Sequence, residues 1–95
     1  MKYVYLWFVK MTEEATKKYL VDVKYFPNWT TKAKEIINKY KMKIVVWGTP
    51  YYTVEQIVIG VETDASLEDF GKVAMELYHI DPAFVDYAKT LIVTQ

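Results

Sequence analysis

His79 is the only histidine in the chain, so any imidazole acting as base, acid or metal ligand must be this residue, or its copy in a dimer. It follows Glu76 by three positions, the Glu-x-x-His half-site spacing of carboxylate-bridged metal centres, and Asp81 lies just beyond. Further ligands at matched spacing are missing, and a histidine at the acidic end of a helix dipole is ordinarily a surface or capping residue. His79 is therefore a candidate catalytic residue with a simpler structural explanation beside it. Ser66, the only serine, precedes Glu68 and Asp69 and reads as a helix cap rather than a nucleophile. With no Cys there is no thiol chemistry and no disulfide. Nucleophile elbows, phosphate loops and dinucleotide fingerprints are absent as well.

The remaining constellation is aromatic. Tyr3, Tyr5, Trp7 and Trp47 are expected to share one sheet face with Gln56 and Glu62. Apolar walls with a few polar groups suit a small, flat organic ligand. The competing reading is a packed dimer core in which the Tyr hydroxyls, Gln56 and Glu62 satisfy one another. Gln56 and Glu62 favour the pocket, because a core needing only packing would more cheaply hold valine there. These six are the candidate ligand-binding residues. No metal and no cofactor is expected, haem being a minor variant. Tyr51 and Tyr52 lie on a hairpin that could cover such a pocket.

The elements that must position these side chains follow from hydrophobic periodicity. Lys2 to Met11 is short and rich in β-branched and aromatic residues, a first strand. Thr12 with Glu13 and Glu14 opens a helix carrying Ala15, Tyr19, Val23 and Phe26. Pro27 interrupts it, and Trp29, Ala33, Ile36, Ile37 and Tyr40 resume the helical stripe. One kinked helix or two pieces are expected from about Glu13 to Lys41. Lys43 to Trp47 and Val54 to Thr63 read as a strand hairpin joined through Gly48 to Thr53. Asp64 or Ser66 caps a second helix with Leu67, Phe70, Val73, Ala74 and Leu77 on one face, and Tyr87 to Thr94 is a last strand. The order βαββαβ is the α+β ferredoxin-like arrangement, a four-stranded antiparallel sheet with its helices on one face.

A chain of 95 residues that is 53% hydrophobic suits one domain spanning 1–95. All twelve basic residues are Lys, so the bidentate Arg fork favoured for phosphate or guanine is lacking and no nucleic-acid partner is expected. Residues 1–43 hold ten lysines against four acids, a net of +6, and residues 44–95 hold two against eight, a net of −6. Complementary helix surfaces, within or between subunits, explain this asymmetry more simply than a nucleic-acid patch does. The N-terminal stretch lacks the cleavage site of a signal peptide, and no apolar run approaches the roughly 20 residues of a membrane span. The reading is a cytoplasmic protein without a membrane partner.

A monomer of this fold should alternate apolar and polar residues along its strands. Here Val4, Leu6 and Phe8 point one way and Tyr3, Tyr5, Trp7 and Val9 the other, so both faces are apolar. Tyr5, Trp7, Val9, Val45, Trp47 and Val58 are expected to form an exposed patch, which a twofold dimer with sheets packed face to face would bury. The run Trp47-Gly48-Thr49-Pro50-Tyr51, leading through Val54 to Glu62 and then Asp64 to Phe70, resembles the dimeric α+β barrel superfamily over essentially the whole chain. It looks like the hairpin, strand, acidic turn and helix of small members such as the domain named for its Gly-Tyr-Asp motif. Gly48 matches that motif, whereas Tyr51 is displaced by two residues and no Asp follows it. The resemblance implies the fold and a homodimer, or a higher oligomer. It does not select among the superfamily's monooxygenases, isomerases, haem-degrading enzymes and amino-acid-sensing domains. The expected function is a small dimer binding an apolar or aromatic ligand between sheet and helices. The alternatives are a cofactor-independent monooxygenase or isomerase using His79 or an inner-face Tyr, and a purely structural dimer.

Overall fold

The structure, a computed structural model, describes residues 2–94. Strand β1 (Tyr3–Met11) leads into helices α1 (Glu13–Val21) and α2 (Tyr25–Lys39), then strands β2 (Lys43–Gly48) and β3 (Ile57–Thr63), helix α3 (Leu67–Tyr78) and strand β4 (Val85–Thr94). The sheet order is β2-β3-β1-β4 and every neighbouring pair is antiparallel. This is the expected ferredoxin-like α+β architecture, with the first helical stretch in two pieces. Thr12 starts α1 by accepting the Ala15 N–H at 2.9 Å, and Ser66 starts α3 by accepting that of Asp69 at 3.2 Å.

Three boundaries differ from expectation. The helical break falls at Asp22-Val23-Lys24 and not at Pro27. Asp22 accepts the Lys24 N–H on its side chain at 3.0 Å and the Tyr25 N–H on its carbonyl at 3.2 Å, a turn that competes with the helix. Pro27 then sits in the first turn of α2, where a missing N–H costs nothing. Tyr19 and Val23, expected on the buried stripe, are exposed as a result. Strand β3 begins at Ile57 rather than Val54, so Val54, Glu55 and Gln56 belong to the loop. Strand β4 begins two residues earlier than expected, at Val85.

The core lies between the sheet and the helices. Tyr5, Trp7 and Val9 of β1 pair with Val61, Ile59 and Ile57 of β3, and all six are buried on the helix side. They meet Trp29, Ala33 and Ile37 of α2 and Phe70, Val73 and Leu77 of α3. The Tyr5 ring stacks on Phe70 at 4.5 Å while its hydroxyl donates to the Ala65 carbonyl at 2.7 Å, so the ring is buried and its polar end satisfied.

This corrects the expected exposed patch. Tyr5, Trp7 and Val9 face the helices, and the open face carries Val4, Leu6 and Phe8 of β1, which pair with Glu62, Gly60 and Val58. On the other flank the same three residues pair with Val93, Leu91 and Lys89. Both sets are apolar, so alternation alone could not assign the faces. The lysines bracketing β1 hold the signal: Lys2 and Lys10 share parity with Val4, Leu6 and Phe8, and that side is the solvated one. In β2 the register shifts between Ile44 and Val46, a bulge that places Trp47 opposite Ile59 on the helix side and Val46 opposite Gly60 on the open side.

The charge asymmetry is met in part within the chain. Lys39 of α2 reaches Glu76 of α3 at 2.6 Å, joined by the Tyr40 hydroxyl, and Lys2 lies 3.5 Å from Glu62.

Candidate functional site

The six candidate ligand-binding residues divide among three places. Tyr3, Tyr5, Trp7 and Trp47 share the helix side of the sheet, with Tyr5 and Trp7 sealed in the core and Tyr3 and Trp47 half-buried. The Trp47 ring lies under the Lys34 ammonium, 5.0 Å from its centroid. Glu62 projects from the opposite face beside Lys2, which corrects the expectation that it shares the face of Trp7. Gln56 stands at the other end of β3, just before its first residue, where its N–H bonds the Val9 carbonyl at 3.0 Å. One residue of alternation separates Glu62 from the aromatic set, and the late start of β3 removes Gln56 from the ladder.

His79 is the C-cap of α3 and is exposed, with its N–H shared among the last carbonyls of the helix. Its ring meets the edge of Tyr78 at 6.0 Å. Glu76, three residues earlier, is engaged by Lys39 and Tyr40, whose hydrogen bonds hold its carboxyl below the ordinary range. The Glu-x-x-His spacing therefore brings no converging pair. Among the described residues no three His, Asp or Glu side chains group to hold a metal ion, and no helix is long and apolar enough to cross a membrane.

Two polar features lie in the loop between β2 and β3. Glu55 is 2% exposed. Its carboxylate accepts from the Thr53 and Tyr87 hydroxyls and lies 3.5 Å from the Lys89 ammonium. These bonds, Thr53's first and Tyr87's next, hold it down at about 2. A carboxyl depressed in the folded state contributes stability that is complete above its unfolded value, about 4.3, and lost as pH falls through the folded value. Urea midpoints should therefore drop between about pH 5 and pH 2, and Glu55→Gln should flatten that slope. An unchanged slope in the variant would remove Glu55 from the acid response.

Gln56 is the second feature. Its side-chain oxygen accepts the Met11 N–H at 2.8 Å, holding the amide at the end of β1. It lines a cleft of about 220 Å³ whose apolar walls are Met11, Leu20, Phe26 and Ile57, with Thr16, Tyr19 and Thr49 as the other polar-bearing groups. A groove of about 400 Å³ adjoins it, sharing Tyr19, Leu20 and Phe26 and extending past Asp22, Val23 and Pro27. Apart from Gln56, these lining residues are missing from the sequence-derived site. Leu20 falls off the apolar stripe of α1, and the cleft sets Thr16, Tyr19 and Leu20 of α1 beside Thr49 and Gln56 of the β2–β3 loop. A third cavity, of about 250 Å³, lies beside Tyr25, Trp29, Lys32 and Asp81. There the Tyr25 hydroxyl donates to Asp81 at 2.8 Å, and burial followed by this bond pushes that hydroxyl far up. Asp81 also accepts the Ala83 N–H at 3.0 Å on its other oxygen, so its carboxylate joins α2 to the turn into β4.

No family model matches the chain, and no curated protein does. Among solved structures it is similar to protein Atu4242 from Agrobacterium tumefaciens, with a TM-score of 0.52 and 15% identity over 99% of this chain and 92% of that one. At that identity the likeness speaks to the fold alone: both chains share a small α+β fold, here built on a four-stranded antiparallel sheet.

Proposed function

We propose that this chain is a binding protein for a small apolar or aromatic molecule, held between sheet and helices at the Gln56 cleft, and that it works as a homodimer of the dimeric α+β barrel kind. The observation that carries the ligand reading is a polar side chain locked by a backbone bond at the edge of an otherwise apolar cleft. The catalytic alternative draws less support. The Tyr5 hydroxyl is committed to Ala65 and raised by desolvation first and by the charges of Tyr3 and Asp69 next, and His79 lies outside the cleft lining.

The dimer reading rests on the open sheet face, where Val4, Leu6, Phe8, Val46, Val58 and Leu91 form an apolar surface between polar ends. The Lys2–Glu62 pair closes one end and the Glu55–Tyr87–Lys89 group the other. Strand spacing and rise give such a face on the order of 500–600 Å² per protomer, so a pair covers about 1,100 Å², just above the roughly 1,000 Å² of a specific interface.

Native mass spectrometry of gently purified protein tests both parts. The expected spectrum is a dimer carrying a reproducible extra mass, with Leu91→Glu giving a monomer of unchanged fold because Leu91 is exposed within the protomer. A parent protein that stays monomeric overturns the assembly. A dimer that neither retains a mass nor takes up added aromatic compounds overturns the ligand reading.

A further inference from the structure

We infer that the molecule held at Gln56 is a neutral carbonyl compound of one or two rings, its carbonyl oxygen accepting from the Gln56 amide NH2; this rests on the ligand reading above and specifies its chemistry. The amide orientation is determined by its partner. A backbone N–H can only donate, so the end of Gln56 that meets Met11 at 2.8 Å is the oxygen. The NH2 end is left with two donors and no protein acceptor among the described residues. Its neighbour Thr16 spends its proton on the Thr12 carbonyl at 2.9 Å, so the hydroxyl there offers lone pairs rather than a hydrogen.

The walls decide the charge of the ligand. Neither a lysine nor an acid lines the 220 Å³ cleft. A carboxylate or an ammonium entering it would leave water without a counter-ion, whereas a carbonyl needs only the donor that is present. The cleft by itself, about 220 Å³ and below the roughly 300 Å³ of drug-sized pockets, has room for about two rings.

Three probes of matched shape separate the possibilities: naphthalene, 2-acetylnaphthalene and 2-naphthoate, followed through the methyl signals of Met11 and Ile57 in the full-length protein. The ketone is expected to bind about tenfold more tightly than naphthalene, the increment of one good hydrogen bond. The carboxylate is expected to bind at least about tenfold more weakly than the ketone. Gln56→Glu keeps an oxygen for the Met11 N–H but removes the donors, and should erase the ketone's advantage over naphthalene. The infrared carbonyl stretch of bound 2-acetylnaphthalene should fall relative to an apolar solvent, a readout that needs no variant. Equal binding of ketone and naphthalene, a preference for naphthoate, or an unshifted carbonyl stretch overturns this inference while leaving the cleft reading intact. If none of the probes moves the Met11 and Ile57 signals, the cleft reading itself fails.

Discussion

Replacing Phe84 by alanine is expected to destabilise the protein by about 4 kcal/mol, the middle of the range for removing an enclosed aromatic ring. Phe84 is completely buried and stacks on Trp29 with ring centroids 4.3 Å apart and planes 8° from parallel. It also meets Tyr25 at 5.8 Å and Phe26 at 6.4 Å, so one side chain ties the start of α2 to the entry of β4. Its backbone does the same, since its carbonyl accepts the Thr12 N–H at 3.0 Å and its N–H donates to Asp81 at 2.9 Å. Those backbone bonds survive the substitution, so the measured loss reports packing and cavity alone. A domain of this size has a total stability of roughly 5–14 kcal/mol, so the variant would retain only part of it. With a urea slope of about 2 kcal/mol/M the midpoint should fall by about 2 M. Phe84→Leu should recover more than half of the loss. A fall below about 0.5 M for Phe84→Ala would mean that α2 and β4 are not joined through this ring.

The second large effect runs against strand propensity. Valine ordinarily improves a strand position held by glycine, yet Gly60→Val should cost about 2 kcal/mol. A Cβ at Gly60 would lie 2.9 Å from Leu6 Cδ2 and 2.9 Å from Val46 Cβ. The Leu6 methyl can swing away, whereas Val46 Cβ is fixed to the backbone of the neighbouring strand, so β2 must move. The bulge between Ile44 and Val46 brings that strand close at this point, and glycine is what permits the approach. Gly60→Ala should already cost about 1 kcal/mol, and Val46→Gly combined with Gly60→Ala should show a favourable coupling of at least about 0.5 kcal/mol. Denaturant titration of the four proteins in this cycle measures it. Stabilisation by Gly60→Val would refute the close approach.

The architecture was legible because it rests on local rules. Short runs of β-branched and aromatic residues mark β1 and β2, the spacing of Phe70, Val73 and Leu77 marks α3, and Thr12 and Ser66 start their helices as side chains of that type do. Gly48 and Pro50 punctuate the hairpin, and the order of elements leaves one familiar sheet topology.

The candidate site was legible only in part. Gln56 stood out as a polar residue in an apolar run, and it lines the cleft. Its companions Met11, Leu20 and Phe26 come from three other segments, and nothing in their local spacing brings them together. Glu55 reads as a strand residue, yet it is buried because Tyr87 and Lys89 arrive from the far edge of the sheet to receive it.

By itself, then, the sequence determined which segments become strands and helices, where α1 and α3 start, and that both faces of β1 would be apolar, since each follows from interactions among residues a few positions apart. Only the tertiary structure decided which of those faces the helices cover, where the bulge in β2 turns Trp47 inward, and that Asp22 rather than Pro27 divides the first helical stretch. A strand with two apolar faces satisfies local rules in either orientation. The choice falls to the packing of Tyr5 on Phe70 and of Trp29 on Phe84, contacts between residues 65 and 55 positions apart in the chain.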